Sequence, residues 1–340
     1  MQDPEHYTVG WICALSTEYT AARQFLDKNH GRPHRLAPND SNQYTLGTMA
    51  GHSVVIALLP DGEYGTSSAA NVAAHMRNSF RNIDFGLMVG IGGGAPTAKH
   101  DIRLGDVVVS SPQNGLGGVY QYDFGKTIQE RAFKPTGFLN QPPKAVRAGV
   151  GGLRALYEEQ GHAFATSIED IFQKCPMLRG KYARPNQETD CLYKSEVVHP
   201  HDRMGDCKEL CGTLATHIVE RRRRNNYDLD PTIHYGIIAS GNQLMKDATI
   251  RDALAHEQDV LCFEMEAAGL MNDFPCLVVR GICDYSDSHK NKDWQGYAAM
   301  TAAAYTKDLL KIVPPKISAA SKSKPPFTIA FRDDCEIHGG

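Results

Sequence analysis

The 340-residue chain has no apolar run long enough to cross a membrane. Stretches such as 54–59 and 277–279 fall far short of the roughly 20 residues that a spanning helix needs. It also lacks an excess of one charge. Thirty-six Lys and Arg face 39 Asp and Glu, a formal net charge of −3, so no global basic field marks it for nucleic acid. Its polar, acidic start (residues 1–6) is unlike a secretory signal. An even cysteine framework is missing too. The nine cysteines, Cys13, Cys175, Cys191, Cys207, Cys211, Cys262, Cys276, Cys283 and Cys335, are odd in number and scattered, several inside apolar runs. Such cysteines read as reduced, buried thiols. We therefore expect a cytoplasmic protein with no membrane or nucleic-acid partner.

Internal repeats are absent as well, and strand signals are sparse between 111 and about 233. Elsewhere, short apolar runs ending in Gly or a polar turn predict buried strands at 8–15, 53–59, 85–90, 106–110, 234–239 and 276–282. Helical patterns lie between them, at 17–28 after a possible Ser16 cap, 68–80, 261–271 and 298–313. This alternation predicts a three-layer α/β/α fold around a central mixed sheet. The Gly-, Pro- and polar-rich region 112–232 reads as a large insertion within one catalytic domain, 7–313, with helices at 144–159 and near 210–223. The run Arg221 to Arg224 reads as a solvated helix end. Residues 314–340, rich in Ser, Lys and Pro, read as a tail or linker.

In open α/β sheets, ligands gather beyond the carboxyl ends of the strands. Three groups follow strands here. Glu18 is well placed as a helix-start carboxylate. The cluster GIGGG at 90–94 lets a ligand approach the backbone, but it lacks the Lys-Ser/Thr of a P-loop and is not the dinucleotide fingerprint. Arg280 and Asp284 bracket a strand end, where charges are costly to bury unless used or paired. A fourth element, Phe263-Glu264-Met265-Glu266, sets two carboxylates in an apolar stretch. Two residues apart they share no helix face, yet at a strand-to-helix junction both can face one pocket.

Taken in chain order, these segments resemble the nucleoside phosphorylase and nucleosidase superfamily. The similarity is closest to its methylthioadenosine/S-adenosylhomocysteine nucleosidase branch, and especially to nucleosidase-like domains of fungal proteins, some attached to NLR-type receptors. It runs over 7–111 and 233–310, through VGWICALSTE, DGEYGTSSAA, GLMVGIGGG, LGDVVVS, IASGNQLM, FEMEAAG and VVRGICDYSD. The resemblance implies a hydrolase that cleaves the N-ribosidic bond of purine ribonucleosides (adenosine, inosine or guanosine) without a cofactor. It implies Asp284 as the acid at purine N7, with a pKa raised by burial or neighbouring carboxylates. Glu18 activates water, and Arg280 orients water and carboxylates. Glu266 grips the ribose hydroxyls and Met265 packs on the sugar. Phe263, Gly92, Asn242, Leu244 and Met245 belong to the nucleoside-binding segments. A homo-oligomer is implied as well.

Two departures bear on this reading. Met88 stands where phosphorylases of the superfamily carry a phosphate-binding arginine, and Ile91 where a phosphate-binding hydroxyl often lies. A lost charge-assisted hydrogen bond is worth roughly 1.5–3 kcal/mol, so water is the expected acceptor. His199, His201, Cys207 and Cys211 are ordered like a zinc site, but the Cys207–Cys211 spacing is looser than CxxC. We expect reduced thiols there and no metal. Three alternatives stay open: an ATP or AMP nucleosidase using Arg103, Lys126, Lys181, Arg184 or the Arg221 run for 5′-phosphates, a purine nucleoside phosphorylase, and a non-catalytic nucleotide-sensing module of a receptor.

Overall fold

The computed structural model describes residues 3–316, apart from 131–132, 201–206, 213, 226–227, 229 and 291. Twelve strands and eight α-helices alternate along it. In chain order they are β1 (Val9–Cys13), α1 (Ser16–Gln24), β2 (Lys28–Gly31), β3 (Gln43–Met49), β4 (His52–Leu58), α2 (Thr66–Ser79), β5 (Phe85–Gly94), β6 (Val107–Ser110), β7 (Val119–Gln121), β8 (Gly125–Lys126), β9 (Lys134–Pro135), α3 (Lys144–Gln160), α4 (Phe164–Lys174), α5 (Arg179–Tyr182), α6 (Cys207–Leu210), β10 (Ile233–Ser240), α7 (Ala248–Gln258), β11 (Val260–Glu264), β12 (Cys276–Asp284) and α8 (Gln295–Ile312).

The main sheet runs β11-β10-β6-β12-β5-β1-β4-β3-β2, with β7 beside β10. It is mixed: β1, β4, β5 and β12 are parallel neighbours, while β6 runs against β12 and β3 against β4. The central strands β5 and β12 are apolar and buried along almost their whole length, as strands covered on both faces must be. Alanine-rich α8 packs on β12, β5 and α1, and α2 lies against β1. The far end of β5 turns back so that Gly93 and Gly94 pair antiparallel with Phe263 and Cys262 of β11. This closes β5, β12, β6, β10 and β11 into a ring, and the strand ends carrying Glu264 and Asp284 meet at its rim. No helix among the described residues is long and apolar enough to cross a membrane.

Several elements differ from expectation. The segment 261–271 is not a helix: β11 ends at Glu264 and one 3₁₀ turn follows at Ala267–Gly269. Strand pairing with β10 and β5 overrides the helical pattern there. Ser16 lies inside α1, whose N-cap is Leu15. The helix near 210–223 shrinks to α6 and turns. Two of the four arginines at 221–224 are drawn inward, while Arg222 and Arg223 stay exposed. Arg221 pairs with Asp190 at 3.0 Å, and Arg224 with fully buried Asp106 at 2.5 Å. β3, α4 and α7 escaped the sequence reading. For α7 a signal existed, since Asp247 caps it by accepting the N–H groups of Thr249 and Ile250.

Candidate active site

Glu18 lies in the first turn of α1 and folds back over its start. Oε2 accepts the backbone N–H groups of Ala14 (2.7 Å) and Leu15 (2.9 Å). Oε1 accepts that of Ile91 in β5 at 2.8 Å. A helix start leaves such donors free, and a carboxylate satisfies them. Gly90 makes room, since a Cβ there would collide with Glu18 and Arg280.

Arg280, in the middle of β12, is 1% exposed and faces three carboxylates. Nη2 makes a close pair with Glu264 and lies 3.3 Å from Glu266, while Nη1 is 3.9 Å from Glu18. Nη1 also donates to the Ile91 carbonyl at 3.2 Å. Glu264 accepts the N–H groups of Glu266 (3.2 Å) and Ala267 (3.1 Å), which shapes the turn after β11 and aims Glu266 inward. Glu266 in turn accepts the Gly65 N–H at 3.3 Å.

One guanidinium cannot neutralise three buried carboxylates. Burial raises the pKa of Glu18, and the Arg280 charge with the three backbone donors offsets this only in part. Burial likewise pushes Glu266 up to about 7. Arg280 opposes the rise, while Glu264 and Glu18 add to it.

Asp284 ends β12, nearly buried. Oδ1 accepts the Ser286 N–H at 2.9 Å, and Oδ2 lies 3.3 Å from Lys290 Nζ. Gly93 keeps space beside it, where a Cβ would press on Asp284 and Ser286. These groups share one cavity of about 470 Å³. A cavity of that size suits a small polar ligand. Glu18, Glu264, Glu266, Arg280 and Asp284 form its charged floor. Phe263, Met265, Ile91 and Leu244 give it apolar walls.

The family model of the phosphorylase superfamily matches residues 8–312. The chain belongs to the phosphorylase superfamily. An NLR-like protein of Hyaloscypha variabilis is 47% identical over 315 residues, which cover 92% of this chain but 30% of that protein. The chain thus spans less than a third of that relative. A 5′-methylthioadenosine/S-adenosylhomocysteine nucleosidase of Mycobacterium bovis is 29% identical over 90% of this chain and 97% of its own length. An ATP nucleosidase of Escherichia coli is 36% identical over 80 residues, 22% of this chain and 16% of that protein. Among solved structures, the methylthioadenosine/S-adenosylhomocysteine nucleosidase of Neisseria meningitidis superposes with a TM-score of 0.55. That match has 16% identity and covers 89% of this chain and 98% of the other. It shows the shared fold.

In this superfamily member, Glu18, Gly92, Leu244, Phe263, Met265, Glu266, Arg280 and Asp284 line one cavity. Asn242 and Met245 do not line it. Met245 is buried in an apolar cluster with Tyr122 and Phe263. Asn242 Oδ1 accepts the Thr66 N–H at 3.0 Å and so braces the turn whose Gly65 holds Glu266. Met88 is buried in β5 and is not among the lining residues, whereas Ile91 is. Arg103, Lys126, Lys181, Arg184 and Arg221 also lie outside the cavity lining. Arg103, Arg184 and Arg221 are paired with Asp101, Asp230 and Asp190. The cations that do line it, beside Arg280, are Lys246, Lys290 and Lys292. Sequence reasoning missed these lysines and the bracing role of Glu264. Lys290 and Lys292 follow the DYSD segment closely, which was the available signal.

Proposed function

We propose that the chain hydrolyses the N-ribosidic bond of purine ribonucleosides, releasing free base and ribose. The observation that carries this reading is the carboxylate-rich floor beneath a cavity closed on one side by Asp284. In the proposed reaction the C1′–N9 bond breaks and its electron pair leaves with the base. N7 takes a proton from Asp284, whose neighbour Lys290 is the adjacent proton-bearing group. A purine leaves far more readily neutral than as an anion, and the sugar gains oxocarbenium character. Water adds to C1′ and Glu18 accepts its proton. Glu266 holds the ribose hydroxyls, with Met265 against the ring. Arg280 fixes the carboxylates. The full-length relative that is a nucleosidase supports this reading.

Water is favoured over phosphate by electrostatics. The only guanidinium among the described residues lining the cavity is already shared by Glu18, Glu264 and Glu266. Phosphate beneath the sugar would meet net negative charge in a low-dielectric site.

A second reading concerns the 5′ substituent. Lys246, Lys290 and Lys292 line the cavity and would suit 5′-phosphates, as in an AMP or ATP nucleosidase. In either case we take residues 7–313 as the catalytic unit and 314–340 as a tail or linker.

Chromatography of products from adenosine, inosine, guanosine, methylthioadenosine, AMP and ATP, with and without phosphate, tests all of this. Expected products are free purine and ribose, at a rate independent of phosphate. Ribose 1-phosphate, with a rate that rises on adding phosphate, would overturn the hydrolase reading. A strong preference for AMP or ATP that falls on Lys246→Ala would select the second reading. Binding without any turnover would favour a sensing module.

A further inference from the structure

Away from the cavity floor, the fold brings four ligand-type side chains together: His199, Cys207, Cys211 and His289. Their donor atoms all lie within 4.8 Å of one another. His201, part of the set expected from the sequence, lies outside the described residues. His289, which was not in that set, joins instead.

We propose that this His₂Cys₂ tetrad is a structural zinc site. It clips the insertion to the loop that follows Asp284. A tetrahedron built on Zn–N bonds near 2.0–2.1 Å and Zn–S bonds near 2.3 Å has edges of roughly 3.3–3.8 Å. Three of the six distances lie at or close to the sulfur–nitrogen edges of such a tetrahedron. Cys211 Sγ is 3.2 Å from His199 Nδ1 and 3.5 Å from His289 Nδ1, and Cys207 Sγ is 3.5 Å from His199 Nδ1. Two thiolates with two imidazoles suit zinc above other common divalent ions.

The spacing that looked too loose for zinc is explained by local structure. Cys207 and Cys211 are one turn apart, and the Cys211 N–H donates to the Cys207 carbonyl at 2.8 Å. Residues four apart in a helical turn present their side chains on one side. The second shell is also in place. His289 Nε2 lies 2.9 Å from the Val197 carbonyl, so that nitrogen carries the proton and Nδ1 keeps its lone pair for a metal. Tyr193 stacks on the His289 ring at 3.9 Å between centroids, and its hydroxyl donates to the Cys207 carbonyl. The His199 N–H donates to Ser288 Oγ at 2.9 Å, a second tie between the same two segments.

His289 precedes Lys290, the partner of Asp284. A metal here would fix the short loop between Asp284 and Lys290 against His199, Cys207 and Cys211. This inference does not rest on the substrate reading.

The test is the metal content of the chain purified from zinc-replete medium without chelator, by inductively coupled plasma mass spectrometry. One zinc per chain is expected. Cys211→Ser should lose it, while Cys191→Ser and Cys175→Ser, outside the tetrad, should keep it. Should Cys211→Ser fail to fold, cobalt exchange into the wild-type chain gives a separate reading. A tetrahedral site with two thiolates shows intense d–d bands and thiolate-to-cobalt charge transfer. Chelator should then speed the reaction of two thiols with a disulfide reagent. A chain that is isolated without zinc and takes up neither zinc nor cobalt would overturn the proposal. It would leave thiol–imidazole hydrogen bonds only.

Discussion

Two clusters of buried carboxylates stand on the same sheet and are built in opposite ways. Asp106, just before β6, is fully buried and receives hydrogen bonds from Arg224, His234 Nε2 (3.0 Å), Thr232 N (2.9 Å) and Arg103 N (2.8 Å). Burial alone would raise its pKa. Hydrogen bonds from His234 and Arg224, with their charges, outweigh burial and hold the carboxyl below its usual range. Glu18, Glu264 and Glu266 share a single guanidinium, and burial wins at Glu18 and Glu266. The first cluster is charge-satisfied and serves the fold. The second is left short of cations, so its carboxylates remain available to a ligand. Buried acids alone do not mark a site; the deficit of partners does.

The comparison can be broken most sharply at Asp284. Asp284→Asn keeps the shape but delivers no proton, and turnover should fall about 10²–10⁴-fold. Circular dichroism and melting should stay close to wild type. Near-normal turnover would remove Asp284 from its role. Asp106→Ala should do the reverse. It strands Arg224 and His234 beside an empty buried site, and urea unfolding should show a loss of about 3–5 kcal/mol. The fraction that remains folded should keep its kcat/KM. Unchanged stability would show that the cluster is not structural.

The two clusters should also respond oppositely to pH. Glu266 has a folded pKa of about 7, above the unfolded value near 4.3. Its contribution to stability is full below the unfolded pKa and is lost as pH rises through 7. Activity should rise over the same window as Glu266 and Glu18 ionise. Asp106 is lowered, so its contribution is present above about pH 3.9 and lost as pH falls through its folded pKa. Melting temperatures from pH 4.5 to 8 should fall less steeply in Glu266→Gln than in the wild type. Parallel curves would mean that Glu266 titrates alike in both states. The smallest effect is expected at the half-exposed Arg184–Asp230 pair. Arg184→Gln should shift stability by about 1 kcal/mol or less, with no change in turnover.

The sheet's central strands were legible because β5 and β12 are largely apolar, β5 ending in glycines and β12 in Asp284. Gly92 and Asp284 lie in the carboxyl-terminal halves of those two strands, Arg280 midway along β12, and Glu18 follows β1, so position along the strands picked them out. The FEMEAAG segment misled at the level of secondary structure, since Leu261 to Met271 shows apolar spacing that a helix would also use. Its two carboxylates nonetheless line the cavity, where buried carboxylates find a partner in Arg280. Long-range pairing was not legible. Nothing local shows that Arg221 and Arg224 reach Asp190 and Asp106, or that His289 comes to Cys211. These contacts depend on the path of the insertion, whose loops carry little periodicity. Adjacent positions at a turn were also not told apart, so Leu244 and Met245 were grouped although only Leu244 lines the cavity.

The placement of β5 has a consequence for how the protein is made. It pairs on one side with β1, which is already made when β5 emerges, and on the other with β12, where Gly86 lies opposite Cys276. Between those two residues a ribosome working at roughly 5–20 residues per second needs about 10–40 s. For that interval the nascent chain carries an apolar strand with one open edge, a template for wrong pairing. Glu18 emerges early, but Arg280 and Asp284 can join it only when the last strand slots in. The charged set of the cavity is therefore completed in one late step, and a chain released before residue 284 would hold most of the sheet without Asp284.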